Sequence, residues 1–146
     1  MTRFNVVYSD SKGEIERKNL LASEVLDYFK SLPWQESFED CLKTEDAVYD
    51  YMFIVYYTDA EQLEQSLDIE IFMDDENKSL NQNISFDVSV WYEKYIMKKV
   101  FFGLLGEKKE VKNDSIILEN QDTYNTLKYL QAFVHLDSQY LKSLTQ

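Results

Sequence analysis

One histidine, one cysteine, one proline and three glycines are all that this 146-residue chain has of four residue types on which many sites and linkers depend. His135 stands alone, so zinc centres built from histidine clusters and two-histidine helical motifs are excluded. Cys41 has no second cysteine to pair with, which suits a reducing compartment. Beside Leu42 on an expected helix, it reads as a small buried hydrophobe. A Cys41–His135 nucleophile pair is supported by no motif, and His135 reads instead as a helix-end residue. The segment Gly103-Leu-Leu-Gly106 has neither the spacing nor the Lys-Ser/Thr pair of a phosphate-binding loop. Pro33 is the only proline, so no Pro/Gly-rich linker divides the chain, and residues 1–146 read as one domain.

Long apolar runs are missing as well. The longest, around residues 52–57, falls far short of the ~20 residues that cross a bilayer. The first residues lack the apolar core and cleavage site of a secretory signal. A soluble protein of the cytoplasm, with no membrane partner, is the expectation. Bases are scarce too, at 15 against 27 acids, so direct nucleic-acid binding is not expected. A local group of Lys94, Lys98, Lys99, Lys108, Lys109 and Lys112 is interleaved with Glu93, Glu107 and Glu110, and reads as a mixed solvated face. Asp74, Asp75 and Glu76 invite a cation-site reading. A calcium loop needs ligands at alternate positions and a glycine, whereas Lys78 occupies the third alternate position and no glycine follows. No metal, no cofactor and no catalytic constellation is expected. A carboxylate pair could perform acid–base hydrolysis, but 27 acids nominate no particular pair.

What is present is apolar and aromatic material, at 45% and 15% of residues, enough for a core in a chain of this length. Residues 4–8 alternate weakly and predict a first strand, followed by a polar turn at 9–13. Leu21, Val25, Tyr28, Phe29 and Leu32 recur at helical spacing up to Pro33, which ends the helix. Trp34, Phe38, Cys41 and Leu42 repeat that spacing in a second short helix. The period then changes to two over residues 49–57, 67–73 and 84–92, predicting three half-buried strands. Residues 99–105 and 115–118 are further candidate strands across a charged turn, though 95–105 also fits a helix. Tyr124, Leu127, Leu130 and Val134 mark a C-terminal helix, and Asp137 is placed to cap a last turn. The expected fold is α+β: a central antiparallel sheet, connected as a meander, flanked by N-terminal and C-terminal helices.

The net charge of −12 is unevenly placed. Residues 1–76 carry 19 acids and 6 bases, and residues 77–146 carry 8 acids and 9 bases. Within residues 35–76 there are 14 acids and only Lys43 in opposition, so this stretch holds the entire excess. Such crowding lowers the stability of the compact state and can steer a cationic partner. Tyrosines, which are enriched at interface hot spots, are interleaved with these acids. The candidate partner-binding residues are Glu36, Glu39, Asp40, Asp46, Asp50, Tyr56, Asp59, Glu61, Glu64, Asp68, Glu70, Asp74, Asp75 and Glu76.

In this acidic, Tyr-rich character, carried chiefly by residues 35–76, the chain resembles the immunity proteins that bacteria pair with secreted nuclease toxins, including those of contact-dependent growth inhibition. The resemblance implies an inhibitor whose carboxylates meet the lysines and arginines with which a toxin grips nucleic acid, with tyrosines as buried anchors. Some members of such families bind away from the active site. Two other classes compete. One is a nucleic-acid mimic that blocks a DNA-binding protein; the other is a structural or small-ligand adaptor whose acids serve solubility.

Overall fold

The weak alternation at the start of the chain becomes β1 (Phe4–Asp10), and the polar turn that follows leads directly into β2 (Gly13–Leu20). The structure is a computed structural model and describes residues 1–43, 51–72 and 83–144. β2 is absent from the sequence reading because nearly every one of its side chains is exposed. A strand with no buried face leaves no period of two to detect, and charged residues suit an edge strand.

The first helix, α1 (Ala22–Ser31), buries Val25, Tyr28 and Phe29. At its start the Glu24 carboxylate accepts the Leu21 N–H at 3.1 Å, which satisfies one orphan donor. Leu32 is extended, at φ −77° and ψ 144°, as a residue before proline prefers. The Pro33 carbonyl then accepts both the backbone N–H and the hydroxyl of Ser37 at 3.0 Å, opening α2 (Trp34–Lys43). The buried Trp34 indole N–H donates to the Phe29 carbonyl at 2.9 Å, so the ring enters the core without stranding its polar atom.

Four more strands follow: β3 (Met52–Thr58), β4 (Glu64–Ile71), β5 (Phe86–Lys99) and β6 (Glu107–Gln121). The chain closes with α3 (Thr123–Val134) and α4 (Ser138–Ser143), capped by Asp122 and Asp137 accepting the N–H groups of Asn125 at 2.7 Å and Tyr140 at 3.1 Å. The 95–105 ambiguity resolves as strand in its first part only. Residues 95–99 continue β5, and Phe101–Gly103 form a short 3-10 turn, neither strand nor long helix. The expected charged turn at 106–114 is instead strand, since β6 starts at Glu107. Here both strands pair mainly with each other in solvent, so no burial pattern marks them. The expected strand at residues 49–57 is described from residue 51, and the end of the one at 67–73 lies outside the described residues.

All six strands form one antiparallel sheet in the order β2-β1-β3-β4-β5-β6. The fold is therefore α+β with a central antiparallel sheet flanked by helices. β1 and β3 to β6 follow one another as a meander, and β2 folds back outside β1. β2 and β3 consequently run parallel on either side of β1, and the connection between them, bearing α1 and α2, crosses over it.

Alternate residues of five strands point to the helices: Phe4, Val6 and Tyr8; Phe53 and Val55; Leu67, Ile69 and Ile71; Phe86, Val88 and Val90; Ile116. They meet Val25 and Phe29 from α1, Trp34 and Phe38 from α2, Leu130, Phe133 and Val134 from α3, and Leu141 from α4. At the centre Phe29, Trp34, Phe53 and Phe86 stack edge-on or tilted, with ring centroids 5.1–6.5 Å apart. Each fully buried side chain of this size contributes about 1.5–3 kcal/mol. The four α-helices among the described residues thus add to one face of the sheet. The other face is left open among the described residues.

Candidate functional site

Register decides what the open face presents. Because side chains alternate across a strand, the residues between the core positions share the outer surface. Three rows run across the strands there. The first joins Glu14, Ser9, Met52, Glu70 and Asp87, with Glu119 next in line on β6. The second joins Glu16, Val7, Ile54, Asp68, Ser89 and Ile117, and the third Asn5, Tyr56, Ser66, Trp91 and Ser115.

Acids gather in the first two rows. Glu70 stands directly opposite Asp87, at a Cβ separation of roughly 4.5–5.5 Å for such a pair. Asp87 also faces Glu119, whose charge helps raise its pKa; burial is the larger cause, and the Asn120 N–H that bonds Asp87 Oδ1 at 3.0 Å pulls it back. Asp68 lies between Ile54 and Ser89. Burial pushes its carboxyl above the ordinary carboxylate value, against side-chain hydrogen bonds from Ser66 and Trp91 that lower it. Its Oδ1 is sealed from solvent and has no hydrogen-bond partner among the described residues. Asp68, Glu70, Asp87 and Glu119 line a shallow depression of about 270 Å³ with Met52, Ser89, Trp91 and Ile117.

Aromatic and apolar groups sit within this acidic surface. Trp91 is 42% exposed and Ile117 57%, a large apolar area with no described element over it. Tyr56 shares the third row with Trp91, one strand intervening, and its hydroxyl donates to Glu16 Oε1 at 2.9 Å. That hydrogen bond, with burial and the charges of Glu16 and Glu64, raises the Tyr56 pKa. The arrangement can receive a cation in the depression while an apolar group covers Trp91. It has no nucleophile–base pair, and among the described residues no group of His, Cys, Asp and Glu could hold a metal ion.

The acids picked out from the sequence are dispersed by the fold. Asp68, Glu70 and Tyr56 share the open face. Glu36, Glu39 and Asp40 are exposed on α2, which packs through Trp34 and Phe38 against the opposite, helix-covered face. The structure does not bring these two groups together. Asp59 organises the β3–β4 turn: Oδ1 accepts the N–H groups of Glu61 at 2.9 Å and Leu63 at 3.0 Å, and Oδ2 the Gln65 amide at 3.2 Å. Glu61 belongs to the same turn and Glu64 opens β4, and their backbones bond Tyr95 and Glu93. Asp46, Asp50, Asp74, Asp75 and Glu76 lie outside the described residues.

Asp87, Trp91 and Glu119 were not among the sequence candidates. They fall in the nearly neutral half of the chain, where a count of charge along the sequence has no reason to look. The available signal was the alternation Ser85, Asp87, Ser89, Trp91, which assigned Asp87 and Trp91 to the face opposite the core; Glu119 lies beyond it and beyond the expected strand at 115–118.

A second concavity of about 250 Å³ lies where the β3–β4 turn, β5 and α4 meet. Tyr92 lines it, its hydroxyl buried and unpartnered among the described residues, with its pKa raised by burial first and by Asp114 second. Around it stand Asp59, Glu93 and Asp137, together with Lys142 and the Lys94–Asp114 ion pair at 3.3 Å. Charges of both signs alternate there, unlike the single sign of the open face. The lone histidine caps the end of α3 on the surface, and Cys41 is half-buried against the core, where burial, with Asp40 second, raises its thiol pKa. No described helix is long and apolar enough to cross a membrane. Comparison of the chain with protein-family models, with curated proteins and with solved structures finds no match.

Proposed function

We propose that this protein is a binding protein for a basic protein partner and that the open sheet face is its docking surface. The observation that carries the reading is the approach of Asp87 and Glu119 on the open face beside Asp68, whose Oδ1 is buried with no hydrogen-bond partner among the described residues. Like charges held close together on a sheet repel, and a stranded acceptor costs free energy. Both defects are repaired by one event, the arrival of a lysine or arginine. Arginine suits the depression best, because its planar fork can satisfy two acceptors at once. Trp91 supplies an anchor of the type that dominates interface energetics, with Ile117 and Met52 excluding water around it.

Among partners of that chemistry, the basic nucleic-acid groove of a toxic nuclease fits the acidic resemblance described above, and the chain would act as its immunity protein. Steered association between opposite charges favours fast capture, which suits an inhibitor of a lethal enzyme. No catalytic step is assigned to the chain.

The test is capture of partners from cells of the same source by the full chain and by a Glu70→Lys/Asp87→Lys variant, with bound proteins identified by mass spectrometry. Capture of a basic protein by the native chain is expected, with at least about thirtyfold weaker binding and a flatter salt dependence for the variant, the range for disrupting a buried interfacial charge. Thermal melts of the two should be similar. Undiminished capture by the variant refutes the open face as the docking surface.

A further inference from the structure

The β5–β6 hairpin continues well past the sheet. β4 pairs with β5 only as far as Tyr92, so from Glu93 opposite Asn113 to Lys99 opposite Glu107 the backbone ladder runs to β6 alone, with Glu93 still accepting from the Glu64 N–H and the Gln65 side chain. Tyr95 ties the base of this arm to the body through its hydroxyl on the Glu61 carbonyl at 2.8 Å. Beyond that contact the arm is free among the described residues.

Its composition is layered along its length. At the tip, Phe101, Phe102, Leu104 and Leu105 are all exposed, Phe102 fully and Leu104 at 86%. The turn holds them outward: the Leu105 N–H bonds the Val100 carbonyl at 3.3 Å, and the Val100 N–H bonds the Gly106 carbonyl at 3.1 Å. Phe101 and Phe102 take φ of 51° and 55°, a left-handed conformation rare for bulky residues, and one that points to a role outside the fold. Directly behind the tip, Lys98 faces Lys108 across the ladder, and Lys99 and Lys109 adjoin them. An opposed pair of like charges weakens a hairpin.

We infer that this arm is a membrane-docking device: the Phe-Phe-Gly-Leu-Leu tip enters the interface of an anionic bilayer, and the lysine collar meets the lipid phosphates. The order of layers, apolar and then basic along one axis, matches the depth profile of such an interface, with acyl chains below charged headgroups. A pocket on a protein imposes no such order. The acidic body does not prevent it. Lys98 lies five residues along β5 from Glu93 at the base of the arm, about 16 Å at the strand rise, against a Debye length of about 8 Å in physiological salt. The arm's own charge is positive, because Lys98, Lys99, Lys108 and Lys109 outnumber Glu107 and Glu110. Of the lysines that read as a mixed solvated face from sequence, Lys98, Lys99, Lys108 and Lys109 fall in this collar, Lys109 lying 3.8 Å over the Tyr95 ring, whereas Lys94 and Lys112 face each other nearer the body. This docking requires no membrane-spanning segment and is independent of the open-face reading.

The experiment is co-sedimentation of the full chain with vesicles of phosphatidylcholine alone and of phosphatidylcholine mixed with phosphatidylglycerol. The native chain should sediment with the mixed vesicles and remain in solution with the neutral ones. A Phe101→Asn/Phe102→Asn variant, whose new residues tolerate the left-handed turn, should lose about tenfold or more in partitioning. Lys98→Gln and Lys108→Gln should each lose about fivefold. Circular dichroism checks that the variants keep the native fold. A Phe102→Trp reporter keeps the claim testable if sedimentation is weak: its emission should shift to the blue on adding mixed vesicles. An unshifted reporter together with an unsedimented native chain overturns the inference, as does sedimentation equal for the native chain and the tip variant. It is equally overturned if the tip proves necessary only for capturing a protein.

Discussion

Replacing Asp68 by asparagine should make the protein more stable at neutral pH while weakening its hold on a basic partner. The carboxylate is held above its ordinary pKa by burial, and Oδ1 is sealed from water with no hydrogen-bond donor among the described residues. Leaving a buried acceptor unsatisfied costs about 1–3 kcal/mol, more for a charged group. Asparagine removes the buried charge but leaves an amide atom in the same unpartnered position, and hydrogen bonds from Ser66 and Trp91 already reach the partly enclosed carboxylate, so the low end applies: a gain of about 1 kcal/mol. For a chain of this length that raises Tm by about 2–4 °C.

The pH dependence has a definite sign. A carboxyl whose pKa is raised on folding binds its proton more tightly in the native state. Native-state stability from this group therefore falls as pH rises from the ordinary value of 3.8 through the folded value, and is lowest above it. The advantage of Asp68→Asn should be full at neutral pH, shrink as pH falls through that window, and disappear below 3.8. Denaturant melts of both proteins across pH measure this directly. An asparagine variant no more stable than the native protein at neutral pH, or one whose advantage persists undiminished in acid, would refute the reasoning. In the binding assay the same substitution removes a charged hydrogen-bond acceptor and should weaken the partner complex by about tenfold or more.

Two further substitutions separate binding from folding. Trp91→Ala should lower stability by only about 1 kcal/mol, through loss of its hydrogen bond to Asp68, yet weaken partner capture by about thirtyfold, as removal of an aromatic anchor does. Equal losses in both measurements would make Trp91 a packing residue. Phe53→Ala, by contrast, empties the centre of the covered face, where Phe53 meets Tyr28 at 5.8 Å, Phe29 at 5.2 Å and Trp34 at 6.5 Å between ring centroids. A cost of about 3–5 kcal/mol is expected, lowering Tm by about 10 °C or more. A shift of a degree or two in a thermal melt would mean that the aromatic cluster is not the centre of the core.

The covered side of the molecule was legible residue by residue. Val25, Tyr28 and Phe29 recur at helical spacing because one stripe of α1 is buried. Phe53 with Val55, Leu67 with Ile69, and Val88 with Val90 alternate because one face of each strand is buried. Pro33 and Asp122 punctuate the helices through local backbone chemistry that needs no distant contact. Where burial stops, so does the signal. β2 and the outer parts of β5 and β6 expose their side chains broadly, and the reading there fell back on turns or on a choice between helix and strand.

The amino-acid sequence by itself determined the acidic character, the scarcity of histidine and cysteine, and the alternating and helical patterns that build an α+β core. These depend on composition and on neighbours a few residues apart. The tertiary structure alone decided which acids share a surface. It set Asp68 and Glu70 beside Asp87, Trp91 and Glu119 from the neutral half of the chain, and sent Glu36, Glu39 and Asp40 to the other side. Strand register does this: pairing places residues seventeen or more positions apart, such as Glu70 and Asp87, at about 5 Å, and the pleat assigns each of them to one face. Charge counted along a chain cannot register such neighbours, because repulsion acts through space.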